Sequence, residues 1–199
     1  PGASAGLDLP ADAARRPFRF RVISFTEEES RLVQERAFST AGYLMFMPYV
    51  LATAAAVFRP LFVGRAAPDS NVLSYLYGGF PVAAASDRRA LAGTVRDQLI
   101  AQVKAEMPAA IEDSNLLMRI LPARLFWKFM VLFFRNRLSS FALTCLGEPL
   151  IKASSVMGCP IRSHIHFPVI PAPPGLGLVL SRSGKVYHAI LSYIEGILP

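Results

Sequence analysis

FRFRVISFTEEESRLVQERAF, residues 18–38, changes backbone period within a few residues, and that change decides the fold class. Phe18, Phe20 and Val22 alternate with Arg19 and Arg21, the pattern of a strand over Phe18–Phe25 with one buried face. Thr26 followed by Glu29 is a capping box, and Glu27 to Glu29 stand where a helix dipole favours carboxylates. A helix is therefore expected from Glu27 to about Ser39. A strand running straight into a capped helix places both element types in one unit.

Downstream, Arg36 and Arg59 bracket 22 residues without a charge, AFSTAGYLMFMPYVLATAAAVF, long enough to cross a bilayer at about 1.5 Å per residue. Ser39, Thr40, Gly42, Pro48 and Thr53 interrupt it, and four alanines between Ala52 and Ala56 add little transfer free energy. The reading is a buried helix from about Pro48 to Phe58, ending before Pro60. Asn71–Tyr77, NVLSYLY, reads as one strand stopped by Gly78-Gly79. Ser86 is expected to cap a helix through Glu106, with Leu91, Val95, Leu99 and Val103 on one face. Leu121–Leu138 reads as a further helix. SSFALTCLG from Ser139, HIHFPVI from His164, GLGLVLSRSG from Gly175 and KVYHAILSYIEG from Lys185 read as strands. Ser181–Gly184 fits a hairpin turn, with Gly184 supplying positive φ. The expected fold is α+β, with helices packed on a mixed, largely antiparallel sheet.

The 199 residues are 53% apolar and 18% charged, which excludes a disordered tail. The net charge of +7 is uneven: residues 1–118 hold 12 basic and 12 acidic side chains, and residues 119–199 hold 9 basic against Glu148 and Glu195 alone. Such a chain invites nucleic acid, an anionic membrane or a phosphate-bearing molecule. No zinc-finger spacing, RNP stretch or Lys/Arg run supports nucleic acid. Two cysteines outside any C-x-x-C pair, Cys145 and Cys159, argue against a disulfide scaffold. Residues 1–17, PGASAGLDLPADAARRP, read as a linker or processed end, so the chain is expected to be cut from a longer product, with residues 18–199 as its one domain.

No Gly-rich phosphate loop and no nucleophile elbow are present. On a strand, His164 and His166 would share a face and offer two positions to a metal, with His188 as a third. No Asp lies beyond residue 113 and no acidic residue stands near them, so the reading assigns no metal.

The succession of the opening strand and helices, the Asn71-led strand, SDRRALAGTVRDQLIAQVKAE, an Arg-flanked helix, SSFALTCLGEP and a closing Gly-bounded hairpin resembles the C-terminal lobe of the chloramphenicol acetyltransferase-like superfamily, over nearly the whole of Phe18–Pro199. That superfamily includes condensation domains and the alcohol and wax-ester acyltransferases. The resemblance implies one lobe of a two-lobe enzyme with a tunnel between the lobes. An acyl thioester, on coenzyme A or a carrier-protein phosphopantetheine, would enter as donor substrate, and an alcohol or amine would accept the acyl group. A histidine of an H-H-x-x-x-D motif on the N-terminal lobe would act as general base. This chain has no such motif, so it is expected to be inactive without that lobe.

By the same resemblance, Thr144 and Cys145 stand in the strand that covers the tunnel, Cys145 where the family carries Asn, and Asn71 matches an Asn that opens an inner strand. Only Arg65 remains of the Asp-x-x-Arg that usually precedes it. Arg124, Lys128, Arg135, Arg137 and Lys152 would steer coenzyme A phosphates or an acidic acyl carrier protein. The expected partners are the N-terminal lobe, the acyl-CoA or carrier protein, and a peripheral membrane contact, in the cytoplasm. No covalently bound cofactor is expected. Two other readings stay open: a membrane-associated binding protein inserting Ala37–Phe58, and a degenerate lobe kept as an interaction module.

Overall fold

The structure is a computed structural model that describes residues 12–43, 45–62, 71–73, 76–107, 122, 124–125, 128, 140–147, 155–168 and 175–198. Strand β1 (Phe18–Ser24) leads into helix α1 (Glu27–Ala41). The capping box forms in full: Thr26 accepts from the Glu29 amide, and the Glu29 carboxylate accepts from the Thr26 amide at 2.7 Å. Gly42, at φ +95°, ends α1 with its amide on the Phe38 carbonyl. Before β1, Ala13–Arg15 form a single 3-10 turn, and Arg16 donates to the Glu195 carbonyl.

Helix α2 (Phe46–Phe62) is longer than expected. Pro48 sits in its first turn, where its missing N–H costs nothing, and Pro60 lies inside the last turn instead of beyond the end. At that place the proline ring deprives only the Ala56 carbonyl of its helical partner. Leu51, Ala52, Ala54, Ala55 and Phe58 are buried, the alanines allowing close approach of the neighbouring helices. The uncharged run thus divides between two helices that bend by 96° at their break. Among the described residues no single helix is long and apolar enough to cross a membrane.

Asn71–Tyr77 forms two short antiparallel strands, β2 (Asn71–Leu73) and β3 (Leu76–Gly78), where one was expected. Helix α3 (Arg88–Lys104) is capped by Asp87, one residue later than expected, whose carboxylate accepts from the Arg89 and Ala90 amides. Ser86 instead closes a 3-10 turn by donating to the Ala83 carbonyl. Leu91, Val95 and Leu99 are buried as the spacing requires, each adding about 1.5–3 kcal/mol of apolar burial, whereas Val103 is exposed. Gln98 on this helix donates to the Gly79 carbonyl and accepts from the Gly79 amide, tying the glycine stop after β3 to α3.

Strands β4 (Ala142–Leu146), β7 (Leu176–Ser183) and β8 (Val186–Ile194) complete a six-stranded sheet in the order β1-β8-β7-β4-β2-β3, and β5 (Ser155–Val156) with β6 (Cys159–Pro160) form a separate ribbon. The β1/β8, β7/β8 and β2/β3 pairs are antiparallel, and β7/β4 and β4/β2 are parallel. Helices on a mixed, largely antiparallel sheet make the fold α+β. The β7–β8 turn is Gly184-Lys185, with strand β7 running on through Ser183; Gly184 takes φ +61°, the first central position of a type II′ hairpin.

Register divides the sheet residues between two faces. Leu143, Leu176, Leu180, Tyr187 and Ala189 pack with α2 and α3 in the core. Phe46 stacks on Tyr187 at 5.3 Å between ring centres, and Phe58 meets Phe141 edge-on at 5.0 Å. The other face carries Val22, Ser24, Thr144, Val179, Ser181, His188, Ile190 and Ser192. Residues 161–168 lie across it without strand structure, which corrects the strand expected at His164. There Ser192 donates to the Pro168 carbonyl and Phe167 meets Phe20 edge-on. Strand β1 lies at the sheet edge and is largely exposed, with Ile23 at 50%, so the buried face expected for it is not formed by the described residues. The Leu121–Leu138 helix lies almost entirely outside the described residues; Arg124, Leu125 and Lys128 are helical.

Candidate functional site

The face of the sheet opposite α2 and α3 carries a group of polar side chains among apolar ones. In one row across it stand Ser24 on β1, His188 on β8 and Ser181 on β7, aligned by the antiparallel register of three strands. The Ser24 hydroxyl lies 2.9 Å from His188 Nδ1, and the Ser163 hydroxyl lies 3.4 Å from Nε2. The crossing segment is held by the His164 amide, which donates to the Ser183 hydroxyl at 3.3 Å.

His188 is only 6% exposed, and its pKa is lowered by burial and then by the neighbouring charge of His164. The imidazole is therefore neutral at neutral pH, and its two nitrogens divide donor and acceptor roles between Ser24 and Ser163. A neutral imidazole beside a hydroxyl invites comparison with a nucleophile and its base. Two features weaken that chemistry. Among the described residues no carboxylate contacts either nitrogen, and the shift makes imidazolium harder to form, which is the state a general base must reach. The row is better suited to binding than to activating Ser24. Among the described residues two buried polar atoms, Ser181 Oγ in the row and His164 Nε2 in the crossing segment, have no hydrogen-bond partner, a costly condition that a bound polar group would relieve.

The residues read from the sequence fall in several places. Thr144 lies on this same polar face, in the row of Val22, Ile190 and Val179, directly beside the row of His188. Cys145, its neighbour in β4, points to the opposite face and packs against the core. Burial pushes its thiol up to about 12, so it behaves as a small apolar side chain. Asn71 opens β2, paired with Gly78 of β3, two strands away from β7. Arg124 and Lys128 are exposed on helical residues, and Arg135, Arg137, Lys152 and Arg65 lie outside the described residues. Of the three histidines weighed as metal ligands, His164 and His188 come together and His166 is exposed without strand geometry. Among the described residues no three His, Cys, Asp or Glu side chains converge.

Sequence reading missed Ser24 and Ser181. The usable signal was alternation: Ser24 continues the Phe18, Phe20, Val22 face, and Ser181 continues Gly177 and Val179. That these two faces meet at His188 is a matter of pairing, which alternation does not report.

No family model and no curated protein sequence matches this chain. Solved structures do. The nonribosomal peptide synthetase FmoA3, in its α-methyl-L-serine-AMP bound form, matches 98% of this chain and 22% of its own at 15% identity, with a TM-score of 0.57. The wax ester synthase/diacylglycerol acyltransferase from Marinobacter aquaeolei VT8 matches 92% of this chain and 44% of its own at 14% identity, with a TM-score of 0.51. The chain thus spans less than half the length of either. At such identities the likeness is one of fold. By its sheet order, the packing of its described helices and this likeness, the chain shares the α+β fold of a part of the nonribosomal peptide synthetase FmoA3 and of the wax ester synthase/diacylglycerol acyltransferase.

Proposed function

We propose that the chain is the C-terminal lobe of an acyltransferase or condensation-type enzyme that moves an acyl group from a coenzyme A or carrier-protein thioester to an alcohol or amine. The observation that carries this reading is the match of 92% of the chain to less than half of a wax ester synthase/diacylglycerol acyltransferase. The site agrees with a lobe that binds and does not itself supply the base. Its histidine is neutral and has no carboxylate partner among the described residues, while Ser181 Oγ and His164 Nε2 offer unspent hydrogen bonds near Thr144. A thioester carbonyl or the amides of a phosphopantetheine arm are groups of the kind these atoms would satisfy. The general base then belongs to an H-H-x-x-x-D histidine on a preceding lobe, and the chain by itself is inactive.

The test is to express the chain joined to the coding sequence that precedes it and to measure thiol release from acyl-CoA and acyl carrier protein with alcohol and amine acceptors. Thiol release that disappears when the first-lobe histidine is replaced by alanine, and falls with Thr144→Ala, is the expected result. Absence of any H-H-x-x-x-D within roughly one domain length upstream sinks the catalytic reading.

A further inference from the structure

A second site lies on the helical side of the molecule, independent of the acyl-transfer reading. Between the C-terminal half of α1, the start of α2 and the start of α3 opens a cleft of about 640 Å³ lined by the exposed Arg36, Arg88 and Arg89 with Thr40, Tyr49 and Ser86. Among the described lining residues the carboxylate is Asp87, one oxygen of which accepts from the Arg89 and Ala90 amides as the cap of α3, leaving three guanidinium charges against one negative charge. Arg89 is tethered by a hydrogen bond to the Ser39 carbonyl at 3.3 Å, which fixes one wall of the cleft to the other. Among the described residues no carboxylate pairs with Arg36 or Arg88, although Arg31, Arg19 and Arg96 elsewhere on the surface each have one.

Three guanidinium groups facing one cavity repel one another, and a single capped aspartate does not neutralise them. A carboxylate ligand engages one such fork, whereas a phosphate presents three acceptor oxygens and up to two charges, enough for several arginines at once. The hydroxyls of Thr40 and Tyr49 supply further donors, that of Ser86 being engaged with the Ala83 carbonyl. The volume falls within the range of small-molecule sites and far exceeds one phosphate, and the half-buried Tyr49 offers a ring face beside the charges. We infer that this cleft binds a phosphate-bearing organic molecule of nucleotide size, held through its phosphate by Arg36 and Arg88.

The experiment is calorimetric titration of the full chain with ADP, adenosine and inorganic phosphate at low ionic strength, repeated on Arg36→Gln, Arg88→Gln and the exposed control Arg31→Gln, whose side chain pairs with Glu35. ADP is expected to bind, adenosine to bind at least tenfold more weakly, and each of Arg36→Gln and Arg88→Gln to weaken ADP about tenfold or more while Arg31→Gln leaves it unchanged. Binding should also weaken as salt is raised. Equal binding of adenosine and ADP overturns the phosphate assignment, and equal binding of inorganic phosphate and ADP overturns the organic part. No binding of ADP, or binding indifferent to both cleft substitutions, overturns the site. Circular dichroism of each variant separates lost binding from lost folding, and the acyl-transfer assay is unaffected by any of these outcomes.

Discussion

Ser30→Ala offers a direct test of how α1 is fastened to the sheet. Ser30 is 1% exposed, and its hydroxyl donates to the Thr26 carbonyl at 2.7 Å while accepting from the Tyr187 amide at 3.0 Å. Tyr187 lies at the start of β8, where its carbonyl accepts from the Phe25 amide and its amide donates, among the described residues, to Ser30. Alanine removes both bonds with unequal consequences. The Thr26 carbonyl keeps the Ser30 amide as a partner, so that loss is small. The Tyr187 N–H is left buried and unpaired, which costs about 1–3 kcal/mol, and the better helix propensity of alanine returns a few tenths. The net expectation is about 1.5 kcal/mol, or roughly 3–6 °C in Tm for a chain of this size. Urea titration followed by circular dichroism should show a lower midpoint with an unchanged slope. Ser39→Ala is the control: it lies on the same helix with its hydroxyl on the Arg36 carbonyl, but is exposed, and should stay within about 0.5 kcal/mol of wild type. If Ser30→Ala is no more damaging than Ser39→Ala, the Tyr187 amide has another partner and the reasoning fails.

The lowered pKa of His188 makes stability depend on pH with a definite sign. The unfolded imidazole takes its proton near 6.5 and the folded one only at lower pH, so stability is full above that value and declines as pH falls below it. His188→Asn, which keeps a group near the Nδ1 position, should flatten this part of the curve; a wild-type curve already flat between about pH 6.5 and 5 would contradict it. The carboxylates held low by hydrogen bonds, Glu29 by the Thr26 amide and Asp12 by Arg16, act below their ordinary values of 4.5 and 3.8 and so leave that window clear. Cysteine labelling gives a third test. Iodoacetamide near pH 8 should modify Cys159, which is exposed, and spare Cys145, whose thiol stays protonated; two labels per native chain would place Cys145 wrongly.

The parts of this molecule that were legible in the sequence are those set by neighbours along the chain. Thr26 and Glu29 lie three residues apart, and their capping box closes through contacts no longer than one helical turn. Gly184 marks its hairpin because only a residue without Cβ accepts that backbone freely. The elements that were misplaced depended on distant partners. Strand β1 shows alternation without a buried face because its place in the sheet is an edge, and Pro60 survives in α2 because tertiary packing outweighs one lost helical bond.

The candidate sites divide along the same line. The sequence by itself determined the capped helix α1, the α3 core positions Leu91, Val95 and Leu99, and the concentration of excess charge in residues 119–199. Only the tertiary structure decided that Ser24 meets His188, 164 residues away, since a shift of one residue in strand pairing would have turned either side chain to the other face. Only the packing of three helices gathered Arg36, Arg88 and Arg89 into one cleft, within a stretch whose charges sum to zero when counted along the chain. Net charge is additive over sequence, whereas the field inside a cleft depends on which charges share it and which are already paired.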